Sequence, residues 1–253
     1  MNVMKYYLVF VIVCILYGCT TPKNKKIPFV EVQDIEKNVM SWLYYDRDYM
    51  NWSADCIAFN EKDSLIAKKD FLKQLVTGQY IPVRLKSKDS TIQYQLAIAH
   101  NAEVGNLIRN KAIVESHYDS MRGMSLPNFN FKTINGAIVG NNSTPRKTYV
   151  VNCWFIHCKS CVAEFPQLNE LVDAYNNRPD IGFLGLAFDS ADSIKAFLPN
   201  HTFKYTIIPN KEKYLMDTLQ IIGFPTQLIV DSTGHIMNVY SNLNEMKAAL
   251  KHL

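Results

Sequence analysis

The chain has 253 residues, 48% hydrophobic and 20% charged, which is enough to bury one large core or two small ones. Its 27 Lys and Arg against 23 Asp and Glu leave a formal charge of +4, too small an excess to mark a nucleic-acid binder. Six cysteines are too few for a disulfide scaffold.

Lys5 precedes an apolar run over residues 6–17, which ends in Gly18-Cys19. The run is short for a bilayer span but suits the core of a signal peptide. Gly18-Cys19 resembles the bacterial lipoprotein cleavage box. This reading makes 1–18 a lipoprotein signal peptide, Cys19 the lipidated first residue and 19–26 a polar tether. The protein is then expected in the cell envelope, periplasm-facing and lipid-anchored to a membrane. Because Tyr17 stands where that box usually has a small residue, ordinary secretion and an uncleaved anchor are the alternatives.

Residues 27–121 read as a small α+β domain without a catalytic motif, a packing or partner-docking module. Ile35, Val39 and Trp42 predict a helix over 34–42, and the apolar pairs of 65–76 predict another. Apolar residues alternate at Ile81, Val83 and Leu85, and again at Ile92, Tyr94, Leu96 and Ile98. With a turn at 87–90, this predicts a hairpin whose Pro82 belongs on an edge strand. Asn101 predicts the cap of a helix to Met121, with Val104, Leu107, Ile108, Ala112, Glu115 and Tyr118 as its inner stripe.

Residues 122–253 read as a second domain. Leu126-Pro127-Asn128-Phe129 to Asn135-Gly136 predict a short strand and a hairpin turn. Strands follow over 148–155, 181–188 and 204–208, with helices over 159–176, 189–198 and 213–219. Residues 227–231 and 235–240 form a hairpin around 232–234, and 243–253 a closing helix. The order is that of an α/β protein with a mixed central sheet and helices on both faces.

Between the strand at 148–155 and the next helix stands Cys158-Lys159-Ser160-Cys161. Two cysteines at this spacing, at a helix start, can close a small ring disulfide with one sulfur outward. The helix's positive end favours the outward group as thiolate. This is the apparatus of thiol–disulfide exchange. Half a zinc site is the alternative, but no second Cys pair or spaced His pair supplies the remaining ligands, so no metal and no cofactor are expected.

That motif occurs with Trp154, Glu164-Phe165-Pro166, Gly223-Phe224-Pro225-Thr226 and the Asp231-x-x-Gly234 hairpin. Together they resemble the thioredoxin fold, specifically the membrane-tethered TlpA/ResA-like thiol–disulfide oxidoreductases and thioredoxin-like lipoproteins. The resemblance implies an extracytoplasmic protein-disulfide reductase that exchanges disulfides with exported proteins. It also implies a membrane electron donor for re-reduction, in a family that often serves cytochrome c maturation or disulfide repair.

The resemblance assigns Cys158 as the attacking thiol, with Lys159 beside it lowering its pKa, and Cys161 as the resolving thiol. His157 stands where the family usually has Trp. It either lends a cationic imidazole to the thiolate or is a surface ring that shapes the substrate groove. Ser160 stands where relatives often carry Pro, in the pair that tunes redox potential. Asn152 takes the place of thioredoxin's buried Asp. Glu164, three residues beyond Cys161, is the candidate acceptor of the Cys161 proton, with an ordinary exposed helix Glu as the alternative. Pro225, between Phe224 and Thr226, resembles the cis-proline opposite the disulfide, where the preceding backbone can pair with a substrate strand.

Cys153 reads as a buried core thiol, and Cys56 has no evident partner. Two other functions fit parts of the pattern. One is a copper-delivery module holding Cu(I) on two thiolates and a His. The other is a peroxiredoxin-like peroxidase, whose P-x-x-x-T-x-x-C signature would need Pro at Val151 and Thr at Phe155.

Overall fold

The computed structural model describes residues 26–141 and 146–253. The expected signal peptide, the lipidated Cys19 and the tether to residue 25 lie outside the described residues. Among the described residues no helix is long and apolar enough to cross a membrane.

The first region contains α1 (Val32–Ile35), α2 (Val39–Tyr49), β1 (Ile57–Phe59), β2 (Leu65–Ile66), α3 (Lys68–Leu75), β3 (Tyr80–Leu85), β4 (Gln93–Ile98) and α4 (Ala102–Met121). The helix predicted over 34–42 is two helices. Asn38 is extended between them and caps α2, accepting the Ser41 N–H at 2.9 Å. The helix predicted over 65–76 begins only at Lys68, because Leu65 and Ile66 pair with Phe59 and Ala58 as an edge strand. The sheet runs β2-β1-β4-β3, which leaves the Pro82-bearing β3 on an edge. There the Tyr45 hydroxyl donates to the Pro82 carbonyl at 3.0 Å and accepts the Arg84 N–H at 2.6 Å. One side chain of α2 thus satisfies two backbone groups of this edge, beside the bonds that residues 27–29 make to Arg84 and Lys86. Trp42, Phe71, Leu75, Tyr94 and Ile108 form the core between sheet and helices.

The second region contains β5 (Asn130–Lys132), β6 (Ile138–Gly140), β7 (Thr148–Trp154), α5 (Lys159–Ala174), β8 (Ile181–Ala187), α6 (Ala191–Phe197), β9 (Thr206–Ile208), β10 (Thr226–Val230), β11 (Ile236–Tyr240) and α7 (Leu243–Leu250). The main sheet runs β11-β10-β7-β8-β9, with β7, β8 and β9 parallel and β10 and β11 antiparallel. This is the expected mixed sheet. The helix predicted over 213–219 is a single π-helical turn, Tyr214–Thr218, which Gln220 ends with a left-handed φ of 52°.

β7 runs through the middle of the sheet and sends alternate side chains to opposite faces. Val151 and Cys153 enter one core, while Val150 and Trp154 enter the other, beneath α5. Burial raises the Cys153 thiol's pKa well above its ordinary value. Cys56 packs against the separate core of the first region, so the two thiols stay free and apart.

α4 links the regions. Tyr118 and Met121 at its end are buried in the second region's core, just before the sequence-based boundary at 121/122. Glu115 is 3% exposed, ion-paired to Lys111 at 2.9 Å, and accepts the Ser241 hydroxyl. From α7, the Glu245 carboxylate accepts the Trp52 N–H at 3.3 Å and the Ser53 N–H at 3.0 Å. Asn238 donates to the Ser53 carbonyl at 2.9 Å. Glu245→Ala removes both acceptor contacts and is expected to cost about 1–3 kcal/mol. Thermal unfolding followed by circular dichroism reads this as a lowered midpoint; an unchanged midpoint would mean that Glu245 does not hold the two regions together.

Candidate active site

Beyond Trp154 the chain turns through Phe155, Ile156 and His157 into α5. Asp189, just past β8, fixes this turn by accepting the Ile156 N–H at 2.8 Å. The Cys158 N–H donates to the Phe155 carbonyl at 3.0 Å. Cys158 is the N-cap of α5, and its Sγ accepts the Cys161 N–H at 3.2 Å. A disulfide joins Cys158 to Cys161, with Cα atoms 5.3 Å apart.

Burial separates the two sulfurs. Cys161 is 0% exposed, whereas Cys158 keeps 6%, so an incoming partner meets Cys158 first. After reduction, two effects favour a Cys158 thiolate: the positive end of the 16-residue α5 and the nearby Cys161 N–H. His157, Lys159 and Ser160 are exposed around it, with Ser160 Oγ 3.5 Å from Cys158 Sγ. Among the described residues no group of three or more His, Cys, Asp or Glu converges to hold a metal ion. His157 therefore does not join the two sulfurs in this oxidised form.

The surroundings are aromatic. Trp154 is fully buried and meets Phe165 at 5.1 Å and Phe203 at 5.5 Å, both edge to face. Phe155 stacks on Phe188 at 5.1 Å, and the Phe224 ring lies 5.6 Å from Phe155. The Phe224–Pro225 peptide is cis. Thr226 is not part of this cluster. It pairs with Cys153 in the ladder, and its hydroxyl donates to the Gly223 carbonyl at 2.7 Å and meets the Tyr118 hydroxyl at 2.9 Å.

Glu164 is half-buried on α5, not the solvated residue that an exposed helix position would give. Its carboxylate accepts the Gln227 Nε2–H at 2.7 Å. Burial pushes its pKa up from 4.5 to about 7, against the opposing pull of the Gln227 hydrogen bond. The stability consequence has a definite sign. Below pH 4.5 the carboxyl is protonated in both folded and unfolded chains; between 4.5 and about 7 only the folded chain keeps the proton. Stability therefore falls as pH rises through that window. Glu164→Gln is expected to flatten this fall in denaturant titrations, and an equally steep fall in the variant would assign it to other groups.

Asp189 and Gln227 are site residues that sequence reasoning missed. Gln227 carried a signal, an amide inside the apolar strand run 226–230, whereas Asp189 acts from a turn remote in sequence.

Residues 123–239 match the model of the AhpC/TSA family. The thiol-disulfide oxidoreductase ResA of Bacillus thuringiensis subsp. konkukian is 26% identical over 116 residues, which cover 46% of this chain and 66% of that protein. The thioredoxin-like protein YneN of Bacillus subtilis is 25% identical over 122 residues, 47% of this chain and 70% of its own. Among solved structures, the thioredoxin domain of a thiol-disulfide oxidoreductase from Bacteroides vulgatus is 20% identical. It covers 52% of this chain and 96% of that one, with a TM-score of 0.46. The chain thus spans 66% of the length of that ResA relative, and the family match begins at residue 123.

Proposed function

We propose that the second region, a thioredoxin-like domain similar to the ResA thiol-disulfide oxidoreductases, exchanges disulfides with exported proteins through Cys158 and Cys161. The observation that carries this reading is the redox pair at the α5 N-terminus, with its outer sulfur reachable and its inner sulfur buried. Val151 and Phe155 stand where a peroxiredoxin signature needs Pro and Thr, which argues against peroxide as the substrate.

In the reducing direction, the Cys158 thiolate attacks one sulfur of a substrate disulfide and the other substrate sulfur leaves as thiolate. Cys161 then gives its proton to Glu164, and its sulfur attacks Cys158. The second substrate thiolate departs while the Cys158–Cys161 disulfide closes. The substrate gains two electrons and the protein loses two, which a membrane electron donor restores. Phe155, Phe188 and Phe224 form the apolar floor on which the substrate segment lies, with the backbone of Phe224 as its pairing edge. His157, Lys159 and Ser160 border that floor. The apolar run before Cys19 supports a lipid-anchored, periplasm-facing location in the cell envelope.

Trapping tests the reading. Cys161→Ala cannot release its captured partner, so mixed disulfides on Cys158 are expected to accumulate in cells and to be identified by mass spectrometry. Partners with paired haem-binding cysteines would place the protein in cytochrome c maturation; diverse exported proteins would indicate general disulfide repair. No trapped partner at all would remove the proposal.

A further inference from the structure

The sheet beneath α5 carries polar side chains that the exchange steps leave unused. Asn152 of β7 and Gln227 of β10 are opposite each other in the ladder, and both are 0% exposed. Gln227 Nε2 serves Glu164, but Gln227 Oε1 has no hydrogen-bond partner. Neither do Asn152 Oδ1 and Nδ2, Trp154 Nε1 or the Tyr205 hydroxyl. The layer is continuous. Gly185 of β8 pairs with Asn152, and a Cβ there would come within 3.0 Å of Trp154 Nε1. An unpaired buried polar atom costs about 1–3 kcal/mol, so five in one layer call for a reason beyond stability.

A primary amide offers a donor at one end and an acceptor at the other. Its neighbour Glu164 needs a donor when ionised and an acceptor when protonated. We propose that Gln227 is a positioning residue for Glu164. Its Nε2 holds the carboxylate, and when Glu164 has taken the Cys161 proton the amide turns so that Oε1 accepts the new O–H. Asn152, whose Cβ lies about 5 Å across the ladder, then partners the end that has turned away.

This inference rests on the reading of Glu164 as proton acceptor. The Cys161 S–H bond breaks, an O–H bond forms on Glu164, and the sulfur keeps the electron pair with which it attacks Cys158. Two groups meet Glu164: Gln227 from β10, and Tyr205 from the approach to β9, where burial and then the Glu164 charge hold its hydroxyl protonated. Cys161 stands three residues earlier on α5, at the spacing that puts two side chains on one helix side. Burial, opposed by the Gln227 hydrogen bond, accounts for the Glu164 shift, so the amide is the partner that holds the ionised form in reach.

The test uses the intact oxidised protein. The Glu164 carboxyl is followed by 13C NMR and the Gln227 side-chain amide by 15N NMR from roughly pH 5 to 9, the range around a shifted carboxyl. In the unmutated protein both signals are expected to titrate with one midpoint. In Gln227→Leu, and in Gln227→Met as a second apolar replacement, the carboxyl midpoint rises by about 1–2 pH units. Resolution of a mixed disulfide at pH 7 then slows about 5- to 50-fold, because less Glu164 is ionised. A Gln227 amide that ignores the Glu164 titration, or a midpoint unmoved in the Leu and Met variants, overturns the proposal while leaving Glu164 as acceptor. An unchanged pH profile of resolution in Glu164→Gln removes the acceptor reading and this proposal with it. Should both apolar variants fail to fold, the paired titrations in the unmutated protein decide alone.

Discussion

Cys158→Ser is expected to lower disulfide exchange at least about a thousandfold while leaving the fold intact. On the proposed mechanism the Cys158 sulfur makes the first attack. Cys161 is fully buried and lies one helical turn inward, so it cannot substitute as the first nucleophile. A serine hydroxyl at the same N-cap would still accept the Cys161 N–H, and so keep α5 capped. The measurement is the reduction rate of a model protein disulfide beside the thermal unfolding midpoint. A loss of rate with an unchanged midpoint fits the assignment. Substantial remaining exchange would mean that another thiol, either Cys56 or Cys153, carries the reaction. Cys153 starts at a disadvantage, since its burial holds it as the neutral thiol.

Trp154→Ala is the substitution with the largest expected effect on stability. The indole is 0% exposed and packed between Phe165 of α5 and Phe203. Phe203 in turn stacks on Phe165 at 4.1 Å. Removing the indole leaves a cavity that β7 and α5 cannot both close. The cost is about 3–5 kcal/mol, or roughly 6–20 °C in unfolding midpoint for a chain of this size. Denaturant unfolding reads it directly. The same cavity lies under the helix that holds Cys158 and Cys161, so exchange should slow as well. A loss below about 1 kcal/mol would show that the aromatic stack is not what seats α5. Met40→Ala on the exposed face of α2 is the matched control, expected to change stability by less than about 0.5 kcal/mol.

Much of the second region could be read from residue patterns, because β7, β8 and β10 are apolar runs of seven, seven and five residues. The β7–α5 junction is the clearest case: a seven-residue run ending in Trp154, then the paired cysteines. The first region was harder. β1 and β2 have three and two residues, too few to show alternation, and Leu65-Ile66 suits either helix or strand until a partner is present. Among residues around the cysteines, those carried by motifs, including Phe224 and Pro225 ahead of β10, were named from the sequence, whereas Asp189 and Gln227 were not. Asp189 fixes Ile156 from 33 positions away, and Gln227 reaches Glu164 across 63. Thr226 is next to Pro225 in sequence, but strand alternation turns its side chain to the far face of the sheet, against Tyr118.

The link between Tyr118 and Thr226 bears on how the protein can be dissected. A fragment starting at residue 122 would lack α4, so the Thr226 hydroxyl would lose its phenol partner and the Gly223 N–H its contact with the same oxygen. The apolar side of β10 and β11 that Tyr118 and Met121 shield would be wetted at the same time. The second region is therefore built to lean on the first, and the stretch leading into Pro225 is held in part by a helix from outside the main sheet.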